Sequence, residues 1–255
     1  MHAPRRVLTF LLPVLTFLAF EAVFRRPAWV LWILPVLLII LLAAIFFILG
    51  RGLKTPSSRW NFCIGPAVFY LCAFATVFLI EEAFARHALA VAGAILIGLF
   101  FESIYTYIWE HEWYEAYSLE NISGYLNSIS AFLAGSAFLG MEVFLQVPRW
   151  MMLEFVVLVY GLLTWQAFWI ARIPWSSGKY FVAVITLILA EFFFAFSTLP
   201  AHYLISGAAL GVLWYTFISL SRAHHLGFLT RGVVVRHLVL SGLLLAALFG
   251  SARWF

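Results

Sequence analysis

Residues 28–50 read Ala-Trp-Val-Leu-Trp-Ile-Leu-Pro-Val-Leu-Leu-Ile-Ile-Leu-Leu-Ala-Ala-Ile-Phe-Phe-Ile-Leu-Gly, without one charged side chain. At roughly 20 residues, an apolar helix crosses the hydrocarbon core of a bilayer. This segment is long enough. The same pattern recurs along the chain, broken by Pro, Arg and Gly, and predicts spans at 7–24, 28–50, 61–82, 88–109, 122–146, 150–171, 179–198, 201–221 and 234–252. Only Arg25-Arg26-Pro27 separates the first two, so they form a tight helical hairpin in which Pro27 opens the second helix. An eight-span reading is the alternative. The fold class expected is an all-α, polytopic transmembrane helix bundle. Residues 1–255 make a single integral membrane domain with no soluble domain.

Composition supports this. Hydrophobic residues are 65% of the chain and charged residues 10%, against about half and a quarter in soluble domains. The run from residue 7 ends in Phe20-Glu21-Ala22-Val23-Phe24-Arg25-Arg26 with no small-x-small cleavage signal, so it is read as a retained first span. Trp29, Trp60, Trp109, Trp113, Trp150, Trp175, Trp254, Tyr107 and Tyr203 fall at span ends, as an interfacial aromatic belt does.

The 15 basic residues are 13 Arg and 2 Lys, and they outnumber 11 acids. No basic run marks a nucleic-acid surface, so the charge is read as topological. With the N-terminus cytoplasmic, the inner side carries Arg5, Arg6, Arg51, Lys54, Arg59, Arg172, Lys179, Arg222, Arg231 and Arg236. The outer side then carries Arg25, Arg26, Arg86, Arg149 and Arg253. Ten against five sets the orientation, and nine spans place the C-terminus outside.

Every acid is Glu, and Asp is absent. Aspartyl intramembrane proteases, Asp-based Mg²⁺ lipid transferases and Asp-phosphorylating pumps therefore lack their defining residue. Cys63 and Cys72 are nine positions apart, about 13.5 Å of helical rise, too far for a disulfide within one helix. They are read as packing residues.

Ionisable groups within spans are costly and mark candidate sites. On the expected topology Glu21, Glu81, Glu82, Glu142 and Glu154 lie near outer helix ends. Glu191 is deeper in the outer half, beside Phe192, Phe193 and Phe194, and Glu102 alone lies in the inner half. Glu21, Glu142, Glu154 and Glu191 are candidates for an ion, proton or substrate pocket, with Glu191 the deepest protonatable group. Near helix ends the bland reading is contact with headgroups, or pairing of Glu81 or Glu82 with Arg86. Asn127, Ser128, Ser130 and Gln166 are expected to hydrogen-bond between helices.

A second cluster is the acidic, aromatic connector running from Glu110-His111-Glu112-Trp113-Tyr114 to Glu120-Asn121. Topology places it opposite the segment holding His224, His225 and Arg231, so contact between these loops is expected. His111, His224, His225, Glu110 and Glu112 are metal-ligand types, but no HxxxH or HExxH spacing is present and no metal or other cofactor is expected. Small residues recur at helix-packing spacing in Ser136/Gly140, Gly207/Gly211 and Gly242/Ala246/Gly250.

Glu81-Glu82-Ala83-Phe84-Ala85-Arg86 resembles the Glu-Glu-x-x-x-Arg motif of the CAAX-type intramembrane protease family. The resemblance covers six residues and implies a catalytic Glu. The second element would be Tyr107-Ile108-Trp109-Glu110-His111, with Tyr for Phe, and no His is followed at the fourth position by Asn or Asp. Glu82 and His111 also bracket one predicted helix, ~35 Å apart. Glu81, Glu82 and Arg86, with His202 on the same outer side, form the candidate catalytic set.

Three functions are therefore expected in order. The first is a non-catalytic membrane-embedded subunit of a cell-envelope or transport assembly, whose partners are membrane lipids and a membrane protein, with no nucleic acid. The second is a small transporter or ion pathway. The third is an intramembrane hydrolase or lipid-modifying enzyme. The general look of the chain is similar to bacterial membrane proteins, which implies a bacterial cytoplasmic membrane. Reporter fusions test the orientation: alkaline phosphatase joined after Arg86 or Arg149 is expected to be active, and joined after Arg172 or Arg222 inactive. The inverse pattern would reverse the topology.

Overall fold

A computed structural model describes residues 3–50, 56–110, 112, 114 and 118–252. Among them are nine α-helices and no strand: α1 Ala3–Arg25, α2 Val30–Leu49, α3 Pro56–Val77, α4 Ala83–Trp109, α5 Ser118–Leu145, α6 Arg149–Ile170, α7 Trp175–Ser197, α8 Tyr203–His225 and α9 Arg231–Gly250. Each carries a window apolar and long enough to cross a membrane. The chain is an integral, multi-pass, all-α membrane protein. Its contacts cluster into two compact units, Met1–Leu126 and Asn127–Phe255.

The spans depart from the sequence reading by up to five residues: the starts of α1, α5 and α7 and the end of α8 each shift by four, and the third span begins at Pro56, not 61. The third span ends at Val77, not 82, and the fourth begins at Ala83, not 88. The chain leaves α3 in a turn closed by Leu79 N–H on the Thr76 carbonyl at 2.9 Å. That turn keeps Glu81 and Glu82 off a hydrocarbon-embedded helix, and both are exposed. Glu82 takes the N-cap position of α4, its carbonyl accepting from the Arg86 N–H at 3.1 Å. Pro27 opens a 3-10 turn, Pro27–Trp29, that runs into α2, as its fixed φ favours.

In the first unit α1 lies against α4. The helices come close where Pro13 meets Gly98, whose Cβ, were there one, would sit 2.7 Å from the proline Cγ. Phe20 stacks on Phe74 at 4.4 Å, and the hydroxyls of Thr16 and Tyr70 share a 2.6 Å bond in the buried core.

The second unit is tied by α6 on α7 and by α8 between its neighbours. Tyr160 donates to the Ala131 carbonyl at 2.7 Å, and Trp214 donates to Thr164 at 3.1 Å. The α8 helix ends in a Schellman turn: Gly227 sits at φ +74°, and Phe228 N–H bonds the Ala223 carbonyl at 2.9 Å. The α6 end makes the same turn with Arg172 at φ +57°, where no glycine announces it.

Cys63 and Cys72 are buried free thiols. Asn127 and Gln166 are fully buried, and neither amide has a hydrogen-bond partner. The expected inter-helix bonds are therefore not made by these two. Each unmet amide group costs about 1–3 kcal/mol.

The stripe on α8 is an internal seam. A Cβ on Gly207 would lie 2.5 Å from the Ser136 nitrogen and 2.7 Å from its Cα. The stripe on α9 is open, with nothing near Gly242 or Gly250. Gly207→Ala is expected to lower stability by about 1–3 kcal/mol, read as a fall in melting temperature in detergent, and Gly242→Ala to leave it unchanged.

Candidate functional site

The glutamates singled out from sequence resolve into paired, capping and uncovered groups. Three ion pairs join described residues, and all three tie helix ends.

Two of these are in the first unit. Glu21 on α1 meets His87 Nδ1 on α4 at 2.6 Å, with Phe24 edge-on to the imidazole. Toward the other end of the same helix pair, Thr9 donates to Glu102 at 2.9 Å. At the end itself Arg6 meets Glu110 at 3.0 Å. Arg5 places its guanidinium 4.1 Å from the Trp109 ring. Antiparallel α1 and α4 are thus stitched by polar contacts along their length. Glu21 also lines an open cavity of about 590 Å³ with Arg25, Arg26 and Trp29.

Arg86 pairs with neither Glu81 nor Glu82. Its Nε donates to the Ile80 carbonyl at 2.5 Å, closing the connector between α3 and α4. A guanidinium used this way holds the chain turn. His202, in the second unit, caps α8: its Nδ1 accepts from the Leu204 N–H at 3.3 Å. Each of these residues has a local structural duty.

In the second unit Glu142 on α5 accepts from Arg149 Nε at 2.7 Å. The same guanidinium donates to the Ser197 carbonyl at 3.5 Å and lies 5.3 Å from the Phe194 ring. One arginine therefore binds the ends of α5, α6 and α7. The second carboxylate oxygen of Glu142 is buried without a partner. Glu154 and Glu191 are both exposed. Sequence spacing put Glu191 among phenylalanines. It does sit there, but on the surface of α7.

In the connector before α5, Glu112 is exposed and Tyr114 anchors the chain. The Tyr114 hydroxyl donates to Glu120 at 3.1 Å and accepts the Leu119 N–H at 3.3 Å. Burial pushes its phenol above the ordinary range, and the Glu120 carboxylate adds to that. His111, Trp113, Trp254, Arg51, Lys54 and Arg253 lie outside the described residues. His225 packs edge-on to Phe181 at 4.7 Å, while His224 and Arg231 are exposed. Among the described residues no three metal-ligating side chains cluster.

Arg236 counts among the inner-side charges and falls within the expected ninth span, 234–252. It stands five residues inside α9, next to His237, at the mouth of a groove. Thr230 as N-cap starts the helix at Arg231, three residues before the expected span, and sets Arg236 deeper in it. No known family, curated protein or solved structure matches the chain.

The Glu142–Arg149 pair has side chains 15% and 36% exposed. Arg149→Gln is expected to cost about 2 kcal/mol, between an exposed pair and a buried one. Adding Glu142→Gln is expected to recover much of it. A double mutant no better than the single, in thermal melts, would show that the arginine acts through Ser197 and Phe194 alone.

Proposed function

We propose that the chain is a non-catalytic membrane-embedded subunit of a cell-envelope or transport assembly, in a bacterial cytoplasmic membrane with its N-terminus cytoplasmic. One observation carries this reading. Glu191 stands uncovered six residues before the end of α7, and α9 has no buried residue at all. Six residues are about 9 Å of rise, which places the carboxylate below the headgroups. An ionisable group facing hydrocarbon is costly, and a neighbouring protein surface relieves the cost. The Gly242/Ala246/Gly250 face of α9 is open along its length and lets a second helix approach closely.

The remaining candidate groups support the same reading. Arg86 and His202 close a turn and cap a helix. Glu21 and Glu142 are held in ion pairs. An ion pathway through the outer-half glutamates draws less support, because Glu154 and Glu191 point off the surface.

A photo-crosslinking residue at Val239, on the open face of α9, is expected to capture one discrete protein in native membranes. Glu191→Gln is expected to reduce co-purification of that protein. Capture of lipid alone, with no protein adduct, would sink the subunit reading.

A further inference from the structure

A groove of about 710 Å³ opens between α5, α8 and α9. Its floor is a close approach of α5 and α8, where a Cβ on Gly211 would lie 3.1 Å from Phe132. A 2.5 Å bond between the hydroxyls of Thr216 and Ser241 fastens α9 to α8. The lining divides by chemistry. Arg236, His237, Tyr215, Ser128 and Ser241 are its polar members, and Phe132, Leu240 and Leu244 give it an apolar wall. No carboxylate lines it. The Arg236 guanidinium is exposed and has no ion pair or hydrogen bond among the described residues. His237 holds its Nδ1 to the Val233 carbonyl at 2.8 Å, which fixes the ring on the groove side of the helix.

Depth sorts these groups along one axis. Arg236 is five residues into α9, about 7.5 Å from its start at 1.5 Å per residue, from where a long arginine side chain reaches the headgroups. Leu240 and Leu244 follow one and two turns deeper on the same side of the helix. A positive mouth above an apolar slot matches an amphiphile with a negative head and a hydrocarbon tail. Basic pockets between membrane helices recognise anionic lipid headgroups in this manner. A neutral lipid would leave the guanidinium unanswered. A free anion would leave the slot unfilled.

We propose that this groove binds an anionic phospholipid, with the phosphate on Arg236 and an acyl chain along Phe132, Leu240 and Leu244. The site is on the opposite side of α9 from Gly242 and Ala246, so a lipid here and a protein partner there do not compete. Arginine chemistry favours this head, since its planar fork matches two phosphate oxygens.

The test uses the full chain in nanodiscs of phosphatidylcholine and phosphatidylglycerol, released into detergent and weighed by native mass spectrometry. Wild-type protein is expected to retain phosphatidylglycerol over phosphatidylcholine. R236Q is expected to cut that retention about fivefold. L240W, which keeps the charge and fills the slot, is expected to do the same. R231Q, at the exposed start of α9 and outside the groove, is expected to change nothing. In unmutated protein, a photoactivatable phosphatidylglycerol with its probe in the acyl chain is expected to label residues of α9 and α5 around Leu244. Equal retention of the two lipids would overturn the proposal. So would loss with R231Q as large as with R236Q, displacement by inorganic phosphate, or labelling elsewhere.

Discussion

Hydrocarbon offers no hydrogen bonds, so each backbone N–H and C=O that crosses it must be met within its own segment. That constraint fixes every element of this protein. It explains why the described residues hold long helices and no strand. It also explains where the helices stop. The turn after Val77 brings Glu81 and Glu82 out of the span, and Arg86 reaches back to cover the Ile80 carbonyl. His202 and Thr230 cover N–H groups at the starts of α8 and α9. The polar side chains at helix ends are largely the means by which unmet backbone is covered.

The same constraint made the fold readable. Nine apolar runs give nine helices because only one secondary structure can satisfy such a run alone. Boundaries were less legible. The third and fourth spans were misplaced because Phe78, Leu79 and Ile80 continue the apolar pattern through a turn. Hydropathy cannot see a turn made of apolar residues. The end of α6 hides similarly, with Arg172 in a left-handed conformation that sequence associates with glycine. Arg236 falls inside the ninth expected span, and only the packing of α5, α8 and α9 shows the groove beside it.

Packing order was not legible. Gly207/Gly211 and Gly242/Ala246/Gly250 read alike in sequence. The first is pressed against Ser136 and Phe132, and the second meets nothing. Small residues permit a close approach without naming the helix that makes it. The pairs Glu21–His87 and Glu142–Arg149 join residues 66 and 7 positions apart. The second could be suspected from proximity along the chain. The first depends wholly on α1 lying against α4. In a membrane the hydrophobic effect does not drive helices together, so hydrophobic pattern carries little information about neighbours.

What separates structural from functional polarity here is whether the group has been answered. Arg6, Arg149, Glu21 and His202 each have a partner that accounts for their presence in an apolar chain. Arg236 and Glu191 have none among the described residues, and both are exposed. They also have opposite charge and stand on different helices of the same unit. Partners for the two must therefore differ in chemistry. A guanidinium above an apolar slot suits a phosphate with a tail, whereas a lone carboxylate on an uncovered helix suits a donor from another protein. On the two readings proposed above, these groups divide the surface of the second unit into a face for lipid and a face for a partner.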